Sequence, residues 1–355
     1  MKTLLISVIA AMAVSLMCRM NAAALDYTIR DLGTVTGGGP VSVTDLNATG
    51  DAVGFYRDAT DKIHAFLRTA DGTQTDIGPI GYWASAINTS QQVLISAVDS
   101  LVWTAGSTRQ LNPLSGDVSA RAASLNDLGQ VVGTSYGPQQ QPHAILWQAD
   151  GTSIALSPLV SGGRSVGYEI NSNGESVGSA LDSSGIHHAV HWDQAGHITD
   201  LGLMAGYTES LGLALNDIGQ VVGATYTGSS KPHATMWNLG GTPLLLPELP
   251  GATLSTVRAI NDSGVVIGYS DTADGARHAV VWDTTGGITV LGTLTGGTAG
   301  WARAITDTGL IFGSSDDSAG NTHIVMWEPV PEPSAFLALA AGVGVLGLPF
   351  IRRRR

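Results

Sequence analysis

Arg258-Ala259-Ile260-Asn261-Asp262-Ser263-Gly264-Val265-Val266-Ile267-Gly268-Tyr269, followed by His278-Ala279-Val280-Val281-Trp282 and Ile288-Thr289-Val290-Leu291, is one full copy of a unit that recurs along the chain. Ala259-Ile260 runs into a tight turn in which Asn or Asp accepts backbone hydrogen bonds and the Gly supplies a positive φ, so the first two segments read as a β-hairpin. A loop rich in Asp, Thr and Gly leads to the His-Ala strand, and a second Gly turn leads to a fourth short strand. The Trp of the unit falls at Trp147, Trp192, Trp237, Trp282 and Trp327, each 45 residues after the last. Such a period marks a repeat architecture, which must be recognised before any local motif is interpreted.

The same frame fits from Asn126, Asn171 and Asn216, and again from Thr306, which stands where the other copies have Asn. Two earlier copies are irregular. The first has Asn47, Gly54 and His64-Ala65, with Arg68 at the Trp position; the second has Asn88, Val93 and Trp103 and lacks the His. Seven units of four strands predict an all-β, seven-bladed propeller, whose wedge-shaped sheets pack face to face around an axis. Both faces of each sheet are then covered, which accounts for strands such as Gln130-Val131-Val132-Gly133 that are apolar without alternation. A β-solenoid of the same repeats is the alternative.

The ends of the repeat separate the two. The last unit stops at Trp327-Glu328-Pro329 without a fourth strand, while Tyr27-Thr28-Ile29-Arg30-Asp31-Leu32-Gly33 matches the fourth strand His197-Ile198-Thr199-Asp200-Leu201-Gly202. The N-terminal segment is therefore expected to complete the last blade and close the ring, leaving no open edge at the seam.

Both termini carry targeting features. Met1-Lys2-Thr3, the apolar run from Leu4 to Met17 and the small residues Ala22-Ala23-Ala24 form a Sec signal peptide, residues 1–24, cleaved after Ala24. Cys18, the single cysteine, lies inside it behind a poor lipobox, so the exported domain has no disulfide. Residues 25–329 form the propeller. Beyond them, Val330-Pro331-Glu332-Pro333 precedes an apolar stretch from Ser334 to Ile351, which as a transmembrane helix would span roughly 27 Å. Arg352, Arg353, Arg354 and Arg355 then act as a membrane stop on the cytoplasmic side.

The last 26 residues resemble the PEP-CTERM sorting signal: Pro331, Glu332 and Pro333 are the sorting motif, followed by a Gly- and Leu-rich helix and an arginine cluster. The resemblance implies an exosortase as processing partner, transient anchoring in the inner membrane of a Gram-negative bacterium, and a destination at the cell surface or in an extracellular, exopolysaccharide-rich matrix. The repeats are similar to extracellular HAF repeats, named for the triplet at His64-Ala65-Phe66, with variants at His143, His188, His233 and His278; His323-Ile324-Val325 departs from it. No activity comes with that family.

Candidate site residues are few. His143, His188, His233, His278 and His323 recur with their Trp once per blade, so they read as structural, bonded to backbone and packed near the Trp, and no metal is assigned to them. Asp271 and Asp274, in an oxygen-rich loop, are the weak calcium candidates, although turn chemistry explains Asp and Gly there equally well. Residues 25–330 hold only five glutamates, Glu169, Glu175, Glu209, Glu248 and Glu328, with no nucleophile motif or phosphate loop. No catalytic residue is assigned.

Formal charge is −12 for the whole chain; setting aside Lys2, Arg19, Glu332 and the four terminal arginines leaves 11 basic against 28 acidic residues, or −17, for residues 25–330. Such a surface repels nucleic acid. The expected function is a non-catalytic binding or structural module associated with extracellular polysaccharide. The alternative is a carbohydrate-active enzyme, which would show non-repeat carboxylates clustered on the axis.

Overall fold

The computed structural model describes residues 26–34, 41–97, 99–228, 231–240 and 242–330. The expected signal peptide and the sorting signal, with Pro331, Glu332, Pro333 and the four terminal arginines, lie outside the described residues. No helix among the described residues is long and apolar enough to cross a membrane.

The compact unit Tyr27–Pro329 holds seven four-stranded antiparallel sheets. Each sheet runs in sequence order from an inner to an outer strand, as in Ala252–Ile260, Val266–Thr272, Arg277–Trp282 and Ile288–Val290 of blade 6. Blade 7 is the exception. Its first three strands, Gly300–Ile305, Ile311–Asp316 and Thr322–Pro329, take Tyr27–Gly33 as the fourth, with Ile29 opposite Trp327 and Thr28 opposite Glu328. The chain is a seven-bladed β-propeller closed by its N-terminal strand.

Seven apolar clusters form the core, one at each contact between neighbouring blades. The cluster at the seam joins Val43, Tyr56 and Phe66 of blade 1 to Phe312, Ile324 and Met326 of blade 7. Trp147, Trp192, Trp237, Trp282 and Trp327 are all buried to within about 1%. A buried Trp removes about 150–250 Å² from water, worth roughly 4–6 kcal/mol at about 25 cal/mol per Å². The indole N–H of four of them donates at 2.7 Å to a carbonyl 35 residues back, on the segment leaving the preceding blade: Asn112, Ser157, Pro247 and Gly292. Trp237 is the exception: its indole N–H is buried without a partner, and the equivalent carbonyl, that of Gly202, accepts from the Ser210 hydroxyl at 3.0 Å. Arg68, which breaks the pattern in the sequence, makes the equivalent bond, its guanidinium donating to the carbonyl of Leu32 at 2.9 Å.

Two further sets of polar bonds tie blade to blade. The N–H of Ala144, Ala189 and Ala234, the Ala of three of the five His-Ala pairs, donates to the hydroxyl of Ser165, Ser210 and Ser255 on the next inner strand. Around the axis, the turn asparagines form a chain. Each accepts a backbone N–H of its own turn, as Asn216 does from Gln220 at 2.8 Å, and donates to the carbonyl of the equivalent residue one blade on. The series runs from Asn47 to Asn88, Asn126, Asn171, Asn216, Asn261 and Thr306. Thr306 ends it, because its hydroxyl is spent locally on Thr308 and on the N–H of Leu310. The ring of amides is therefore open at the seam that the N-terminal strand clasps.

Deleting residues 25–33 should lower the unfolding midpoint sharply, since it exposes the edge of Thr322–Pro329 and the seam; an unchanged midpoint in thermal unfolding would contradict the closed ring. In the same assay Asn216→Ala should cost about 1–3 kcal/mol, the usual range for stranding buried partners. Thr306→Asn should move the midpoint upward by supplying the missing amide donor.

Candidate binding cavity on the propeller axis

The second strand of six blades carries a glycine, at Gly54, Gly133, Gly178, Gly223, Gly268 and Gly313. A Cβ at any of these would collide with a carbonyl oxygen of the inner strand, for example that of Thr256 against Gly268. That close approach goes with a β-bulge. In every blade the register between the first two strands slips by one residue, as between Val257 and Ala259. A bulge inserts an extra residue and re-aims its side chain. Here the bulged residue and its successor both turn toward the axis in most blades.

The axis is consequently lined in tiers. At one end, the turn residues Asn47 to Thr306 and the residues after them surround a vestibule of about 320 Å³. Asp127, Asp217, Asp262 and Asp307 accept backbone N–H bonds from the preceding blade, so these carboxylates are part of the frame. Next comes an apolar collar, the Leu or Ile that precedes each turn residue in all seven copies, from Leu46 to Ile305. Beyond it lies a chamber of about 470 Å³ lined by the bulge residues, within the roughly 300–1,000 Å³ typical of small-molecule sites.

The copies disagree most widely in the chamber, where the lining includes residues of both charges. The bulge position is Ser85, Ala123, Tyr168, Leu213, Arg258 and Arg303 in blades 2 to 7, and the next position is Asp45, Ala86, Ser124, Glu169, Ala214, Ala259 and Ala304. In blade 1 the bulged Thr44 instead bonds the carbonyls of Val53 and Ala84. Asp45 accepts the N–H of Ile87 at 3.0 Å, and Glu169 accepts the hydroxyl of Ser124 at 2.8 Å. Both carboxyls keep some exposure to the chamber but are walled by protein, where few waters can solvate a charge. Burial pushes Asp45 up to about 6, against the opposing pull of the Ile87 N–H and the Arg258 charge. Burial likewise pushes Glu169 up to about 7, opposed by the Ser124 bond and Arg258 and reinforced by Asp45.

The arginines are less well provided for. Burial, and then the like charge of Arg258, hold the Arg303 guanidinium below its ordinary value, and its Nε is buried without a partner. No carboxylate among the described residues lies within ion-pair distance of Arg258 or Arg303. By contrast Arg277, nearby, is held by both oxygens of Asp271 at 2.7 and 2.8 Å and stacks over Tyr269.

The recurrent histidines lie away from the chamber and their partners differ from the expected backbone groups: for four of the five they are carboxylates. His188 bonds Asp200 at 2.9 Å, His323 bonds Asp31 of the N-terminal strand at 2.9 Å, His233 bonds Glu248 at 2.9 Å, and His143 bonds Asp117 at 3.0 Å. His278 contacts only the Thr272 hydroxyl, at 3.4 Å. Their Trp partners lie in the contacts between blades. The two calcium candidates are engaged by protein: Asp271 by Arg277, and Asp274 by the Thr272 hydroxyl and the N–H of Ala276. Among the described residues no three metal-ligating side chains converge. Asp45, Arg258 and Arg303 escape a reading built on the repeat; aligning the seven copies at the two positions ahead of the collar would have found them together with Glu169.

No protein-family model and no curated protein matches the chain. Solved structures share its architecture. A streptogramin B lyase aligns over 86% of this chain and 98% of its own, with a TM-score of 0.52 at 11% identity. The BP39L lectin of Burkholderia pseudomallei aligns over 82% and 97%, with a TM-score of 0.51 at 13% identity. A puromycin-hydrolysing peptidase of Mycobacterium tuberculosis aligns over 81% of this chain and 53% of its own, with a TM-score of 0.52 at 12% identity. At these identities the likeness establishes the propeller fold alone.

Glu169→Gln tests the electrostatics of the chamber. A carboxyl raised by burial favours the folded state below its unfolded value, about 4.3, and that contribution is lost as pH rises toward the folded value of about 7. The variant should therefore match the parent near pH 4 and unfold at a higher temperature than the parent at pH 8. Parallel midpoints across that range would show that Glu169 is well solvated.

Proposed function

We propose that this protein is an exported binding module whose ligand occupies the axial chamber and is not chemically changed there. The observation that carries this reading is the division of the axis: the turn ring and collar repeat, whereas the chamber holds polar side chains that occur in one or two blades only. Side chains that break a repeat have no part in holding every blade to the next, and buried polar groups cost free energy unless something satisfies them. Signal peptide, PEP-CTERM tail and HAF-like repeats belong to the same proposal: export, sorting by an exosortase, and deployment at the cell surface near exopolysaccharide. Hydroxyl, carboxyl and guanidinium groups around one small chamber suit a hydroxyl-rich ligand such as a sugar.

One observation favours catalysis instead, namely two non-repeat carboxyls, Asp45 and Glu169, on the axis. Each, however, is already engaged by the protein, Asp45 by the N–H of Ile87 and Glu169 by the hydroxyl of Ser124. The propellers it resembles include a lectin and a lyase, so the fold is neutral on the point.

The test is a thermal-shift screen of residues 25–330 against neutral and acidic mono- and oligosaccharides, with and without calcium. At least one sugar should raise the midpoint, with no cleavage products on prolonged incubation. Silence across the panel would remove the sugar-binding reading, and product formation abolished by Asp45→Asn or Glu169→Gln would establish the enzyme.

A further inference from the structure

We propose that the axial chamber is a receptor for a single uronate, a sugar whose carboxylate seats between Arg303 and Arg258 while its hydroxyls meet Glu169, Ser124 and Asp45. The inference rests on the binding-module reading and adds the ligand class to it.

Charge is the first argument. Two guanidinium groups occupy equivalent places on adjacent blades, close enough for one to depress the other. Neither is ion-paired among the described residues, and the Nε of Arg303 is shut away from both water and partner. Like charges brought together with a stranded donor are costly, and truncation of that arrangement to neutral side chains would ordinarily be favoured. An incoming oxyanion relieves the repulsion between the two guanidinium groups, because a planar guanidinium matches a carboxylate in two parallel hydrogen bonds.

The size of the ligand's charge follows from the two acids. At neutral pH Asp45 is ionised and Glu169 is near its midpoint, so the four side chains together carry a charge between zero and plus one. A monoanion neutralises the chamber when Glu169 is protonated, whereas a dianion such as phosphate leaves it negative. Protonated Glu169 can also donate to a hydroxyl, and the ionised Asp45 accepts from one.

Shape and surroundings narrow it further. The chamber offers more hydrogen-bonding groups than an oxyanion alone can use, including Ser85 and Tyr168, and about 470 Å³ of room for a ring. The net charge of −17 on residues 25–330 repels long polyanions from the outer surface. A free uronate or the terminal residue of a chain can enter; an internal run of uronates meets the repulsion of the exterior.

Calorimetric titration of the full-length chain with galacturonate, galactose, inorganic phosphate and a galacturonate oligomer tests this. Galacturonate should bind at least about tenfold more tightly than galactose, a difference of about 1.4 kcal/mol. Arg303→Gln should lose at least that factor for galacturonate and leave galactose unchanged, while unliganded it unfolds at the same or a higher temperature than the parent. Arg258→Gln is the second variant should Arg303→Gln fail to fold, and Arg277→Gln, outside the chamber, should bind galacturonate like the parent. Binding of galactose as tight as galacturonate and indifferent to Arg303→Gln would overturn the uronate proposal and leave sugar binding standing. Phosphate binding tighter than galacturonate would overturn it in favour of a simple anion site. Oligomer binding far tighter than monomer would overturn the single-residue receptor, and failure of every sugar would remove both this inference and the module reading.

Discussion

A carbonyl oxygen in the inner strand presses against a residue of the second strand that has no side chain, and most of the molecule's architecture follows from that contact. It requires Gly54, Gly133, Gly178, Gly223, Gly268 and Gly313, because any Cβ would occupy the oxygen's place. It accompanies the bulge that bends each inner strand and turns two consecutive side chains toward the axis. Blade 2 accommodates the same slip with Ile95 in place of glycine, so there the chain bends without the close approach. Without the bulge, alternation would send every second inner-strand residue back into the blade contacts, and the chamber would lose half its lining.

Around that frame the side chains divide by whether they repeat. The Trp indoles, the Ser hydroxyls that receive the Ala N–H groups, and the amide chain of the turns each link one blade to the next and recur in several blades. Departures are instructive. Arg68 reproduces the Trp bond from a different side chain, and Thr306 leaves the amide chain open where the sheet of blade 7 is instead fastened by Tyr27–Gly33. Closure thus combines a backbone ladder in blade 7 with an incomplete polar ring.

Within the chamber the balance runs the other way. Arg303, Asp45 and Glu169 sit at a cost to the ring: two carboxyls are pushed toward their neutral forms and one guanidinium is left partly unsatisfied. Groups of this kind persist in a protein where a function uses them. The histidines are the opposite case. Each has a partner within its blade or the adjoining segments, which leaves them as pegs between the third strand and the polar groups beside it.

Much of the fold was legible because it rests on period and local chemistry. The spacing of the Trp residues counts the blades, Asn261-Asp262-Ser263-Gly264 announces its turn, with Gly264 at φ 80°, and the orphan strand Tyr27–Gly33 matches the gap after Pro329. These are determined by sequence alone, since hydrogen-bonding turns and strand propensities act over a few residues and repeat whenever the residues do. The chamber was decided only by tertiary structure. Asp45 and Glu169 stand 124 positions apart in the chain, and Arg258 and Arg303 lie further along it; only closure of the ring brings blades 1, 4, 6 and 7 to one axis. Their altered proton affinities likewise arise from burial, which no spacing in the sequence encodes.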